Sequence, residues 1–222
     1  MVQVKVLIAS NNGILCKGMA KILSEDPCLQ VIGELTSGQD VIKSIDDLLP
    51  DIVLMEFYLS ELNGVDVALR IGKKYPNIKI IMFSTCDLNE DGIFHALEAG
   101  VSALLDKSST EQELSLAINA AKDSNLYLSP SIASMALKNV HGVPIRLPEG
   151  KKDCRNFLTP REREIIQLVA EGLTGAQIAD KLCISQKTVR NHRSSLMEKL
   201  NLRNSVEITR YAIKCNMVNI DS

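Results

Sequence analysis

Five short apolar segments alternate with amphipathic stretches over roughly the first 125 residues, and this alternation limits the possible folds more than any other feature. The segments are VKVLIA (4–9), LQVIGE (29–34), DIVLM (51–55), KIIMFS (79–84) and SALLD (102–106). The stretches between them carry apolar residues at helical spacing. Strands that alternate with helices form a parallel sheet covered on both faces. The sequence therefore predicts a flavodoxin-like α/β domain with a five-stranded parallel sheet.

Polar side chains follow these strands at their C-terminal ends, where open parallel sheets gather ligands and chemistry. They are Ser10-Asn11-Asn12, Glu56, Ser84-Thr85 and Lys107. Glu56 is the most unusual of them, because a lone carboxylate ends an otherwise apolar strand. Such a residue is a candidate catalytic acid or metal ligand.

The composition is that of an ordinary globular protein. A length of 222 residues suits one large domain or two domains of about 100 residues. No apolar run approaches the ~18 residues that span a bilayer, and the N-terminus lacks a signal-peptide pattern, so we expect a cytoplasmic protein without a membrane partner. The six cysteines are scattered and lack ligand-spaced histidines, which predicts reduced thiols with no metal and no cofactor.

The net charge of −2 hides two halves of opposite sign. Residues 1–150 contain 12 basic and 19 acidic residues, a net charge of −7, whereas residues 151–222 contain 13 and 8, a net charge of +5. Only the second half is expected to meet a polyanion.

A composition change separates the halves and predicts three regions: a domain at 1–124, a linker at 125–156 and a second domain at 157–222. SPSIASMALKNV could form one helix, with Ser129 as N-cap and Pro130 in the first turn. HGVPIRLPEGKK, with two prolines and two glycines, is typical of a linker.

The second domain is predicted to be all-α with four helices. Thr159, Thr174, Ser185 and Asn204 are placed as N-caps, and Gly172 ends the first helix. Two short helices joined by a tight turn form a helix-turn-helix, whose second helix enters the DNA major groove.

On that second helix, Val189, Leu196 and Leu200 are expected to face the core. The opposite face carries Lys187, Arg190, Asn191 and Ser194. Arginine and asparagine suit guanine and adenine edges, respectively. The alternative is a merely solvated polar face.

Residues 4–122 resemble the receiver domain of response regulators, on the five strand ends and the motif ALEAGVSALLDK. The resemblance implies an acidic pair that holds Mg²⁺ after the first strand and a phosphorylated aspartate after the third. It also implies a Ser/Thr after the fourth strand, and an aromatic residue before a lysine at the fifth. The corresponding positions here are Ser10, Asn11, Glu56, Ser84, Leu104 and Lys107.

Only Ser84 and Lys107 match this pattern, so we expect a degenerate receiver (a pseudo-receiver) that is not phosphorylated and binds Mg²⁺ poorly. Three roles for Glu56 stay open. It could imitate the phosphorylated state by pairing with Lys107, it could be a relic, or another ligand or protein could control the site.

The segment LTPREREIIQLVAEGLTGAQIADKLCISQKTVRNHRSSLMEKL strongly resembles LuxR-type DNA-binding domains over residues 157–218, and the whole chain resembles NarL/FixJ-type response regulators of two-component systems. The resemblance implies that Arg190, Asn191 and Ser194 read bases. Phosphate or supporting contacts would come from Lys187, Thr188, His192 and Lys199, although His192 could equally be a packed residue at the core edge. A dimer interface is implied at Val206, Thr209, Arg210 and Ile213.

We therefore expect a transcriptional regulator, not an enzyme, that binds double-stranded DNA as a homodimer at a pseudo-palindromic site. RNA polymerase or a regulatory protein are the expected further partners. Two alternatives remain at this stage: an adaptor or anti-activator whose receiver docks a protein partner, and a sensor that uses Cys86 as a reactive thiol.

Overall fold

The computed structural model describes residues 3–138 and 158–219. The chain divides into two compact units, Met1–Ile145 and Arg146–Ser222. Most of the predicted linker lies outside the described residues, so the boundaries at 124 and 157 stay predictions.

The first unit is built on a parallel sheet with the strand order β2-β1-β3-β4-β5-β6. The strands are β1 (Val4–Ala9), β2 (Leu29–Leu35), β3 (Ile52–Glu56), β4 (Lys79–Phe83), β5 (Ala103–Leu105) and β6 (Tyr127–Leu128). The predicted fold class is confirmed, but the count of five strands is wrong. The sixth strand, β6, is only two residues long, too short to leave an apolar run in the sequence.

Helices connect the strands and cover both faces of the sheet. They are α1 (Gly13–Leu23), α2 (Gly38–Leu48), α3 (Gly64–Lys74), α4 (Glu90–Glu98), α5 (Glu111–Lys122) and α6 (Pro130–Lys138). The capping box of Thr110 and Glu113 at the start of α5 is confirmed. The predicted helix after Ser129 is confirmed over the nine residues of α6.

Each face of the sheet has its own apolar core. One core contains Val53, Met55 and Met82 together with residues of α2, α3, α4 and α6. The other contains Ile8 and Ile81 together with residues of α1 and α5. Because β3 is buried on both faces along its whole length, its sequence is a continuous apolar run and not an alternating one.

The second unit contains four described helices, as predicted: α7 (Pro160–Ala170), α8 (Gly175–Lys181), α9 (Gln186–Leu200) and α10 (Ser205–Lys214). The side chains of Thr159, Thr174, Ser185 and Asn204 each accept a backbone hydrogen bond as N-caps. Gly172 follows α7 with φ of 85°, a left-handed conformation that favours glycine at a helix end. Val189 and Leu196 of α9 are buried in the core of this unit, which confirms the predicted inward face.

Among the described residues, none of the helices combines the length and the apolar character that crossing a membrane would require.

Candidate functional site

The carboxylate of Glu56 lies at the end of β3 and is 6% exposed. Its Oε2 atom accepts hydrogen bonds from the Ser10 hydroxyl at 2.6 Å and from the Asn11 backbone N–H at 3.2 Å. Its Oε1 atom accepts one from the Thr85 hydroxyl at 2.6 Å. The structure therefore brings three of the predicted positions together, Ser10, Asn11 and Glu56, because β1 and β3 are neighbours in the sheet.

The Asn11 side chain holds the loop between β3 and α3. Its Nδ2 atom donates to the carbonyl oxygen of Tyr58 at 2.8 Å, and its Oδ1 atom accepts from the Ser60 N–H at 2.8 Å. The same loop is tied from its other side by the hydrogen bond from Gly38 N to Ser60 O at 3.0 Å. Asn11 therefore ties the end of β1 to the loop after β3, at a position where the resemblance to receivers implies an acidic metal ligand.

Of the two hydroxyl residues that follow β4, Thr85 and not Ser84 reaches Glu56. The buried Ser84 hydroxyl donates instead to the Cys86 carbonyl at 2.8 Å, and Ser84 Oγ lies 3.5 Å from Cys86 Sγ. Sequence analysis named both hydroxyl residues at this strand end and assigned the Ser/Thr of the receiver pattern to Ser84, which stays a prediction. It did not select Thr85 as a partner of Glu56.

Lys107 does not pair with Glu56, so this predicted contact is wrong. Its Nζ atom lies 2.8 Å from Asp87 Oδ2 in the loop between β4 and α4. The hydrogen bond and the negative charge of Asp87 raise the pKa of the Lys107 amino group. Leu104 is fully buried in β5, within the same core as Val53 and Met82.

The residues at these strand ends do not fit a magnesium ion. Mg²⁺ takes hard oxygen ligands in near-octahedral array and is usually held through carboxylates. Ser10 and Asn11 offer only neutral oxygens, and both Glu56 oxygens already accept hydrogen bonds from protein donors. In the described part of the chain, no group of three or more His, Cys, Asp or Glu residues is arranged to hold a metal ion.

A second candidate surface lies on α9. Four side chains that were predicted to face DNA are exposed on this helix: Lys187, Arg190, Asn191 and Ser194. Arg190 and Ser194 also line a groove with Gly175 of α8 and with Arg193 and Met197 of α9. The sequence analysis did not select Arg193, whose guanidinium donates to Ser205 Oγ at 2.8 Å.

The other α9 residues that were predicted to contact DNA differ in their burial and in their hydrogen bonds within the protein. Thr188 lies beside the N-cap, with its Oγ1 atom 2.8 Å from Ser185 Oγ. His192 is half-buried, which leaves open both of its predicted roles.

Lys199 donates to the buried Glu162 carboxylate at 3.0 Å, so it joins α9 to the first turn of α7. Burial alone would raise the pKa of Glu162. The hydrogen bonds from Thr159 and Lys199 outweigh that effect and hold the pKa below its ordinary value.

The predicted dimer residues form one stripe along α10. Val206 and Arg210 are exposed, and Thr209 and Ile213 are half-buried. The opposite side of the helix carries Ile208 and Ala212, which are fully buried in the unit's own core. The stripe is therefore not part of the apolar core of the second unit.

Two family models match the chain. The response regulator receiver domain matches residues 6–119, and the luxR family of bacterial regulatory proteins matches residues 156–212.

Relatives match over nearly the whole length. The transcriptional regulatory protein LiaR of Bacillus subtilis is 30% identical over 97% of this chain and 100% of its own length. The response regulator GacA of Pseudomonas aeruginosa is 29% identical over 99% of this chain and 100% of its own.

Solved structures share the fold. RcsB of Salmonella enterica serovar Typhimurium, bound to the promoter rprA in the presence of the phosphomimetic BeF3-, is 24% identical. The two structures superpose with a TM-score of 0.57, and the match covers 94% of this chain and 98% of the RcsB chain.

Proposed function

The chain belongs to the response regulators that combine a receiver domain with a luxR-type DNA-binding domain, and we propose that it is a sequence-specific transcriptional regulator that binds DNA as a dimer without phosphorylation or Mg²⁺. In this proposal residues 1–124 are the receiver, 125–156 the linker and 157–222 the DNA-binding domain. The protein acts in the cytoplasm and is not an enzyme.

DNA binding is supported by the exposed polar face of α9, the observation that carries the proposal. Thr174 and Ser185 cap the two helices, and the buried Val189 and Leu196 orient α9 in the unit. Its opposite face therefore presents Arg190 and Asn191 outward. These side chains can contact guanine and adenine edges bidentately in the major groove.

Dimer formation is supported by the stripe of Val206, Thr209, Arg210 and Ile213 on α10. Val206 is 65% exposed, and among the described residues of the second unit it is the only large apolar side chain that is exposed. Two copies related by a two-fold axis through this stripe would read a pseudo-palindromic site with half-sites about one helical turn apart.

Independence from phosphorylation is supported by the hydrogen bonds that both carboxylate oxygens of Glu56 already accept. A phosphoryl group needs a metal ion or another cation to neutralise its charge during transfer. Here the position of the metal ligands is taken by Ser10 and Asn11, and Lys107 is held by Asp87. In addition, glutamate is one methylene longer than the aspartate that receivers phosphorylate.

Glu56 serves in this proposal as a permanent carboxylate that holds Thr85. Receivers draw a Ser/Thr hydroxyl toward the modified aspartate, and the Thr85 hydroxyl lies 2.6 Å from Glu56 without any modification. Thr85 directly follows Ser84, the position that the resemblance assigns to this role, and its contact with Glu56 supports an imitation of the active state over a relic. The imitation is partial, because Lys107 does not take part in it.

Genome-wide mapping of binding sites, followed by footprinting with untreated purified protein, tests the proposal. We expect a protected pseudo-palindrome whose affinity falls steeply as the salt concentration rises, because phosphate contacts release counterions. A uniform footprint on unrelated DNA together with co-purification of a protein partner would contradict it and indicate an adaptor.

A further inference from the structure

Asp106 lies directly before Lys107, and its carboxylate is bound by hydroxyl groups from two separate segments of the first unit. Oδ1 accepts hydrogen bonds from the Ser108 N–H at 2.8 Å and from the Ser108 hydroxyl at 2.6 Å. Oδ2 accepts one from the Ser129 hydroxyl at 3.1 Å. Burial alone would raise the pKa of Asp106, but the hydrogen bonds from Ser108, Ser129 and Ser109 lower it.

Ser129 directly precedes α6. It is 1% exposed, its N–H donates to Leu104 O of β5 at 3.0 Å, and its carbonyl accepts from Ala133 N in the first turn of α6 at 2.8 Å. The hydrogen bond to Asp106 therefore fixes the start of α6 to the loop that follows β5.

α6 packs on α4. Ile132 is 2% exposed and belongs to the same core as Ile93 and Ala96 of α4, and Met135 and Ala136 pack against that core. α6 is also the last described element before the DNA-binding unit. Among the described residues, its position on the first unit is therefore the last feature before the second unit.

The loop that precedes α4 is held at two points. Thr85 donates to Glu56 at 2.6 Å, and Asp87 accepts from Lys107 at 2.8 Å. Helix α4 is thus tied to the ends of β3 and β5 through this loop, whereas α6 is tied to the end of β5 through Asp106. Both helices are therefore tied to the end of β5.

We propose that Asp106 is a positioning residue that fastens α6 to the loop after β5 and links the seating of α6 to the hydrogen bonds around Glu56. The proposal goes beyond the DNA-binding function and does not depend on it. The link runs from the hydrogen bond of Ser129 and Asp106 to the adjacent Lys107, which bonds Asp87. From there it follows the backbone back to Thr85, which bonds Glu56, and the test is the energetic coupling between its two ends.

Hydrogen exchange of the full-length protein, read at the α6 amides, tests the fastening. Asp106→Ala and Ser129→Ala should each speed this exchange about fivefold to tenfold, the effect of one lost hydrogen bond on local opening. Ser129→Thr retains a hydroxyl and should exchange like the parent. Ser134→Ala is the matched control, because its hydroxyl bonds only within α6, to Pro130 O.

Exchange of the β1 and β3 amides shows whether a variant is still folded. If Asp106→Ala also speeds exchange in these two strands, the milder variant Asp106→Asn is used in its place. Unchanged α6 exchange in both the Asp106 and the Ser129 variants would overturn the fastening.

The link to Glu56 is tested with Thr85→Val, alone and combined with Ser129→Ala. We expect Thr85→Val to speed α6 exchange about twofold or more, and the double variant to exchange more slowly than the product of the two single effects. No effect of Thr85→Val on α6, or two effects that simply multiply, would overturn the link.

Discussion

At position 56 a buried carboxylate is bound by neutral donors: the Ser10 and Thr85 hydroxyls and the Asn11 backbone amide. Hydrogen bonds to a charged acceptor are stronger than those between neutral groups, and a buried polar atom without a partner is costly. The side chain at this position should therefore contribute to folding as well as to regulation.

Replacing Glu56 with glutamine should lower the free energy of unfolding of the first unit by about 1–3 kcal/mol, because the amide offers one acceptor oxygen where three donors converge. Urea unfolding of the full-length protein measures the effect. Glu25→Gln, which removes the same charge from an exposed position, is the control. Equal stability of the two variants would show that the hydrogen bonds around Glu56 contribute nothing.

The same substitution should weaken operator binding if Glu56 imitates the active state. Footprint titrations of Glu56→Gln and Glu25→Gln compare the two variants at a salt concentration where both are folded. Binding by Glu56→Gln that is as tight as that of the parent would favour a relic.

Substitutions of Arg190 and Lys187 on α9 should have different effects on DNA binding. Arg190→Ala should cost about 1–3 kcal/mol of binding free energy and relax the base preference at one position. Lys187→Ala should weaken binding to all DNA sequences alike. It should also reduce the slope of log affinity against log salt concentration by about one, the value for one lost phosphate contact. Selection from a randomised operator library distinguishes them, and identical base preferences for both variants would contradict the assignment.

At the scale of helices and strands, much of the fold could be predicted because its signals are local. The apolar runs of β1 to β5 and the caps at Thr110, Thr159 and Thr174 each depend on residues within a few positions. β6 could not be predicted, because two residues carry no periodicity and its pairing depends on β5.

The candidate site was only partly predictable, because its contacts depend on side-chain direction and on distant partners. Ser84 and Thr85 both follow β4, yet only the three-dimensional position shows that Thr85 reaches Glu56. Likewise, no local pattern shows that Lys107 prefers Asp87 or that Lys199 joins Glu162.

The start of α2 is packed tightly against the loop after β3. A Cβ atom at Gly38 would overlap the carbonyl oxygen of Leu62, whereas one at Gly13, also at a helix start, would meet nothing. Gly38→Ala should therefore destabilise the first unit by about 2 kcal/mol or more, and Gly13→Ala should be neutral or slightly stabilising. Thermal unfolding of the two variants provides the comparison, and similar melting temperatures would contradict the observed close approach.

The contact between α7 and α9 should make the second unit sensitive to acid. The folded pKa of Glu162 is lowered, so its contribution to stability is present above the ordinary glutamate pKa of about 4.3 and is lost as the pH falls through the folded value. Lys199→Met should lower stability at neutral pH and flatten this acid dependence. Hydrogen exchange of the α7 amides, recorded over a range of pH, measures this acid dependence. Lys187→Met removes the same charge from the same helix as Lys199→Met and is the control. Equal pH profiles of the two variants would contradict the role of the ion pair.

In the whole molecule, the acidic and basic halves correspond to the two family matches, a receiver and a DNA-binding domain. The positive charge belongs to the half that carries α9, in agreement with a polyanionic partner for that half alone. The proposed independence from phosphorylation rests on a group of side chains at the sheet's C-terminal edge: Ser10, Asn11 and Glu56.

The most direct test measures the affinity of untreated protein for its mapped operator before and after incubation with acetyl phosphate and Mg²⁺, with the intact mass recorded on the same samples. We predict tight, sequence-specific binding in both samples, the same affinity within error, and an unchanged mass. A stable mass increase of one phosphoryl group together with tighter binding would contradict a regulator that works without phosphorylation.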